Sequence, residues 1–224
     1  MIFVGVEGLM DIRIYSTRLK IVAGMIACMK KQLFNTLKDT DIIAESGVSP
    51  RTFYHYYKDR NELLDLLENE LLVELRAALR HDFQSITTLK RAPTAEDVYR
   101  LADPGFKHVF AYCERNQEVG QVLLSDNGDI KFAREIKKIA IEEFKKRAKY
   151  LANNQHLEIN DPLFLTAYIS QIVSLIENWL LMSDTVAPKR IRALIGKVQI
   201  ESPFELLQEK ARQQDNGIKI EKAQ

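Results

Sequence analysis

Five hydrogen-bonding side chains, Arg51, Thr52, Tyr54, His55 and Tyr56, crowd the short run between Ser49 and Lys58. Carried on the outer face of a helix, they would suit the phosphate oxygens and sugar faces of a polyanion, whereas three aromatic rings serve poorly as a merely wetted surface. No other stretch offers comparable chemistry. There is no Walker A loop, GxGxxG turn, GxSxG elbow or HExxH helix, so the common nucleotide, hydrolase and zinc signatures are absent and no catalytic residue is expected. His55, His81, His108 and His156 never share a helical turn with a second His or Cys, which argues against a metal. No cofactor is expected either.

Charge supports the same stretch modestly. The whole chain of 224 residues carries a formal charge of +1 from 32 basic and 31 acidic side chains, which alone points to neither nucleic acid nor membrane. Its distribution is uneven. Residues 17–60 hold Arg18, Lys20, Lys30, Lys31, Lys38, Arg51, Lys58 and Arg60 against Asp39, Asp41, Glu45 and Asp59, a basic excess, while residues 61–100 are net acidic. Cys28 and Cys113 lie far apart in a chain whose opening MIFVGVEGLM has neither a basic start nor a small-residue cleavage site. Reduced, packed thiols and a cytoplasmic location are expected.

The elements that must position these residues read as all-α, because apolar residues recur at three and four positions and only nine glycines and six prolines interrupt them. A first helix is expected over 17–34, capped by Thr17, with Leu19, Val22, Met25, Ile26, Met29 and Leu33 on one stripe. A second covers 40–46 and stops at Gly47. The third starts from a Ser49 cap with Pro50 in its first turn and ends near Lys58. Asp59 caps a long fourth helix, from 60 to about 82, whose Leu63, Leu64, Leu67, Leu71, Leu75 and Leu79 face inward. In this arrangement Ile42, Ile43, Val48, Phe53 and Tyr57 cluster inside and the polar face of the third helix is left outside, a helix-turn-helix pattern.

The run GVSPRTFYHYYKDRNELL closely resembles the signature of the tetracycline-repressor (TetR) family, and Thr17 to Leu64 fits that family's first three helices and the start of its fourth. The resemblance implies that the third helix enters a DNA major groove. By position, Pro50, Arg51, Thr52 and His55 match base or nearby backbone contacts, Tyr54 and Tyr56 match phosphate contacts, and Arg60 matches a basic residue that meets the backbone. Two departures stand out: where the family usually opens its second helix with a Thr-Val or similar pair, Lys38-Asp39 puts an acid in a buried-type slot, and Ile43 replaces the usual small residue. They support an alternative in which a degenerate motif serves a protein-interaction coactivator that acts through another DNA-bound partner.

Beyond a loop at 84–95, turns at Asp103-Pro104-Gly105, Asp126-Asn127-Gly128 and Asn153-Asn154 divide the body into helices at about 94–102, 105–115, 117–125, 129–152, 162–183 and 188–199. Leu163 to Met182 is apolar on two sides yet interrupted by Ser170, Gln171, Glu177 and Asn178, so it reads as a packed helix with a dimer face rather than a membrane span. Lys137, Lys138, Lys145, Lys146, Arg147 and Lys149, interleaved with Glu135, Glu142 and Glu143, read as a solvated face. The organisation expected is an arm (1–16), a helix-turn-helix DNA-binding domain (17–64), a ligand-binding and dimerisation body (65–202) and a tail helix (203–224). The resemblance implies a homodimeric, ligand-responsive repressor on a near-palindromic double-stranded operator, with a small-molecule effector. Phe106, Phe110, Cys113, Tyr168 and Trp179 are the candidate effector contacts.

Overall fold

The computed structural model describes residues 12–87, 94–151, 156, 158–182, 186–202, 205 and 208. These form ten α-helices and no strand among the described residues: α1 (Ile12–Met29), α2 (Asp39–Ser46), α3 (Pro50–Tyr56), α4 (Arg60–Ile86), α5 (Ala95–Leu101), α6 (Lys107–Arg115), α7 (Gln117–Leu123), α8 (Ile130–Leu151), α9 (Pro162–Leu181) and α10 (Pro188–Val198). Short 3-10 turns at Phe34–Thr36 and Pro104–Phe106 complete the path. The arm through residue 11, most of the expected loop around Pro93 and most of the tail from 203 lie outside the described residues.

The first helix differs from its sequence reading. It begins at Ile12, not at Thr17, because the hydroxyls of Ser16 and Thr17 donate back to the Arg13 carbonyl instead of starting a helix. It also ends at Met29, so Leu33 sits in the following turn and is half exposed rather than on the buried stripe. Val22, Met25, Ile26 and Met29 are buried as the periodicity required. α3 closes at Tyr56, two residues short of Lys58, with Tyr57 already extended.

α4 is the spine. Leu63, Leu64, Leu67 and Leu71 on one of its faces are at most 2% exposed and join the cores of both halves of the molecule. α6 sits across its far end, where the carboxylate of fully buried Asp82 accepts from the backbone N–H groups of His108 (2.8 Å) and Val109 (2.9 Å). Those groups open α6 and have no partner within the helix, so a side chain from α4 caps a helix remote in sequence. His108 completes the cluster through Nδ1, 2.8 Å from the same carboxylate, and so serves structure rather than a cavity.

Candidate nucleic-acid interface

α3 owes its shape to its two ends. The Ser49 hydroxyl accepts the Thr52 N–H at 3.1 Å, Pro50 supplies a preset φ, and Tyr57 leaves the helix in an extended conformation. Gly47 precedes it with φ of 66°, the left-handed geometry that lets α2 stop and the chain turn sharply. Phe53, fully buried, and Tyr57, 3% exposed, anchor the inner face. The Tyr57 hydroxyl receives a hydrogen bond from Arg18 Nε at 3.3 Å, and the same guanidinium reaches Glu70 at 2.9 Å, which ties α1, α3 and α4 together.

The outer face matches the sequence reading with two adjustments. Arg51, Tyr54 and His55 are exposed, whereas Thr52 and Tyr56 are half-buried, Tyr56 packing partly against the core. Pro50 lies exposed at the helix start. Arg60 is half-buried, with its guanidinium 5.4 Å from the centre of the Phe34 ring and within 3.4 Å of the Asn35 carbonyl.

The two departures from the family pattern turn out to be accommodated. Lys38 is the N-cap of α2, its backbone N–H donating to Asp41 at 2.8 Å, so Asp39 begins the helix instead of occupying an apolar slot. The Asp39 carboxylate accepts the Arg60 backbone N–H at 3.0 Å and the Tyr54 hydroxyl at 3.3 Å, bracing α2 against α3 and α4. Ile43 is buried at 8% exposure, and close approach of the helices is preserved elsewhere, at Gly24. A Cβ placed there would stand 2.7–2.9 Å from Ser46, so α1 and α2 touch backbone to backbone where only glycine fits.

Ion pairing sorts the basic residues of the N-terminal half. Arg18, Lys30 and Lys31 are matched by Glu70, Glu118 and Glu45. Lys20, Lys38, Arg51, Lys58 and Arg60 form no ion pair among the described residues, and three of these, Arg51, Lys58 and Arg60, sit on α3 or just beyond its end. The uncompensated charge is therefore concentrated at the exposed helix.

A partly open cavity of about 140 Å³ lies in the body among α4, α6, α7, α8 and α9. Phe106, Cys113 and Tyr168 line it; Phe110 and Trp179 do not. Those two rings pack on each other at 4.5 Å, with Trp179 donating to the Val186 carbonyl, and belong to the core. Burial pushes the Cys113 thiol up to about 12, which makes it a packed, unreactive group, and pushes the Tyr168 hydroxyl up to about 12 as well. Sequence reasoning missed Glu143, Arg147 and Asn116, which line the same cavity. Glu143 and Arg147 are a correction: they do not belong to the solvated face of α8 but share its inward stripe with Ile136 and Ala140, a spacing visible in the sequence and obscured there by the surrounding lysines.

Residues 102–200 match a TetR-type family described as "Transcriptional regulator C-terminal region". This stretch of the body is similar to the C-terminal region of TetR-type transcriptional regulators. Among solved structures, the chain is similar to a TetR-family transcriptional regulator from Haemophilus influenzae, at 16% identity and a TM-score of 0.52, covering 82% of this chain and 94% of that one. It is also similar to a TetR transcriptional regulator from Streptococcus agalactiae, at 17% identity and a TM-score of 0.41, with 83% and 96% of the two chains covered. A third, a putative transcriptional regulator from Pseudomonas aeruginosa, has 17% identity and a TM-score of 0.42 over 81% and 86% of the chains. The first of these supports the all-α fold, and no curated protein matches the sequence.

Proposed function

We propose that this regulator binds DNA sequence-specifically through α3, as a cytoplasmic homodimeric repressor released from its operator by a small effector held in the body. Residues 17–64 act as the DNA-binding domain and 65–202 as the ligand-binding and dimerisation body, with α4 spanning both. The observation that carries the reading is the outward face of α3: Arg51, Tyr54 and His55 stand in solvent, and the unpaired Lys58 follows the helix end. Pro50, Thr52, Tyr56 and Arg60 frame that face and contact the backbone.

A single seven-residue helix reaches few bases, so a two-fold pair reading half-sites roughly 34–36 Å apart is what specificity requires. α9 is suited to form the pair. Its inner stripe, Leu165, Ile169, Val173 and Leu180, is buried, while Leu163, Phe164, Leu181 and Met182 are exposed. This is the one described helix long and apolar enough to cross a bilayer. Gln171 and Asn178 on its outer side fit a partner subunit better than lipid. An effector acts by favouring a dimer geometry whose two α3 helices no longer match the half-sites, and shifts the balance only by its differential affinity for the two geometries.

The test is fluorescence anisotropy of the purified chain with duplexes from the intergenic region beside its own coding sequence. Arg51→Ala and Tyr54→Phe each weaken operator binding by about 1–3 kcal/mol, and affinity falls steeply with salt. Unchanged affinity in both variants at fixed salt refutes the assignment. Binding only when another DNA-bound protein is added would favour the coactivator alternative, which loses its footing where Lys38-Asp39 and Ile43 fit the module without distortion.

A further inference from the structure

The cavity in the body has a largely apolar wall, interrupted by Asn116, Tyr168, Glu177 and Gln199 and by one pair of opposite charges. Glu143 Oε1 and Arg147 Nε, both lining residues, are buried and have no hydrogen-bond partner. They form an ion pair at 3.8 Å, too long for a hydrogen bond between them. Arg147 is held in place by its other nitrogens, which donate to the Gly105 carbonyl at 3.0 Å and the Leu79 carbonyl at 3.3 Å, and by the Phe106 ring beneath it at 5.5 Å. Glu143 is 9% exposed, and its second oxygen faces Lys146 at 3.6 Å. The unmatched donor and the unmatched acceptor are thus fixed side by side at a spacing that one oxygen atom can bridge.

We propose that the cavity recognises a neutral, single-ring-sized molecule bearing a hydroxyl, whose oxygen accepts from Arg147 Nε and whose proton is donated to Glu143 Oε1. The inference rests on the reading of this body as an effector domain. Size and charge both restrict the ligand. The volume of about 140 Å³ is near that of an apolar protein cavity of about 150 Å³ that takes benzene. Arg147 attracts a carboxylate that Glu143 opposes, and Glu143 attracts an ammonium that Arg147 opposes, so the pair gives neither ion a net gain and favours a neutral group that is donor and acceptor at once. Most of the remaining wall is apolar, with Leu71, Leu75, Ile172 and Ile176 available to a ring.

Isothermal titration of the full chain with phenol, toluene, benzylamine and benzoate tests this, phenol and toluene being nearly isosteric. Phenol is expected to bind about tenfold tighter than toluene, from hydrogen bonds to charged partners, and benzylamine and benzoate more weakly than either. In Glu143→Gln the phenol preference over toluene should shrink to about threefold or less, while toluene affinity is unchanged. Toluene equalling phenol in the unmodified chain would mean that water fills the bridge, and would overturn the proposal. So would tighter binding of either ion, or no binding of any of the four. Operator binding measured on the same preparation separates the two readings: intact DNA binding with no ring binding sinks only the ligand assignment, and phenol binding by a chain that ignores DNA sinks only the operator assignment.

Discussion

Replacing Glu68 with glutamine should stabilise this protein above neutral pH and change it little in mild acid. Glu68 lies on α4, 9% exposed, with Oε1 buried and unpartnered. Burial pushes its carboxyl up to about 7, Asp129 and Asp65 push in the same direction, and Lys131 opposes them. In the unfolded chain the same group titrates near about 4.3. Between these two values the folded state holds a proton that the unfolded state has released, so stability declines as pH rises through the window. The benefit of protonation is complete below the unfolded value and gone above the folded one. Integrated over the gap, the loss is at most about 4 kcal/mol. Glutamine has the shape of the protonated acid and does not titrate, so Glu68→Gln should escape this loss. Urea unfolding of both proteins at about pH 5 and about pH 8 reads the difference directly, since other carboxylates contribute equally to each and cancel. Equal stabilities at the higher pH, or a glutamine variant weaker there, would show that Glu68 is solvated or paired in solution and would refute the reasoning.

Gly24→Ala should destabilise the N-terminal half. Alanine gains up to about 1 kcal/mol in helix propensity, but its methyl meets the Ser46 backbone, and overpacking of this kind costs about 1–3 kcal/mol. A melting temperature lowered by a few degrees is expected, and an unchanged or higher one counts against the close contact. Tyr54→Phe removes only an exposed 3.3 Å contact with Asp39, so its stability should stay within about 0.5 kcal/mol while DNA affinity falls. A large loss of stability in thermal denaturation would instead make Tyr54 a structural residue. Leu181→Glu combined with Met182→Glu places charge on the exposed end of α9 and should shift the chain toward monomer in light scattering, with helical content retained. A dimer that survives both would move the subunit contact to another face.

Most of the N-terminal half was legible in the sequence because local chemistry decides it. Ser49, Pro50, Gly47 and Asp59 each terminate or start an element by a rule that needs no tertiary contact, and Phe53 and Tyr57 separate from Arg51 and Tyr54 by helical period alone. Thr17 misled because a threonine hydroxyl that could cap a helix can also bond backward within one. The body was less legible. Which of several aromatic residues face a cavity depends on where helices distant in sequence cross, and no periodicity distinguishes Phe106 from Phe110. Arg147 shows the same limit: its charge belongs by default to solvent, and only the carbonyls of Gly105 and Leu79 make an inward orientation tenable.

The turn at Phe34 has a consequence for engineering. Its backbone N–H donates to the Asn127 carbonyl at 3.2 Å, in the turn between α7 and α8, while its ring carries Arg60. One amide of the head is thereby completed by the body. A chimaera that grafts residues 17–64 onto the body of a different helical regulator would strand that amide and loosen the platform beneath Arg60. The 125–129 turn has to travel with the head for the transplant to work.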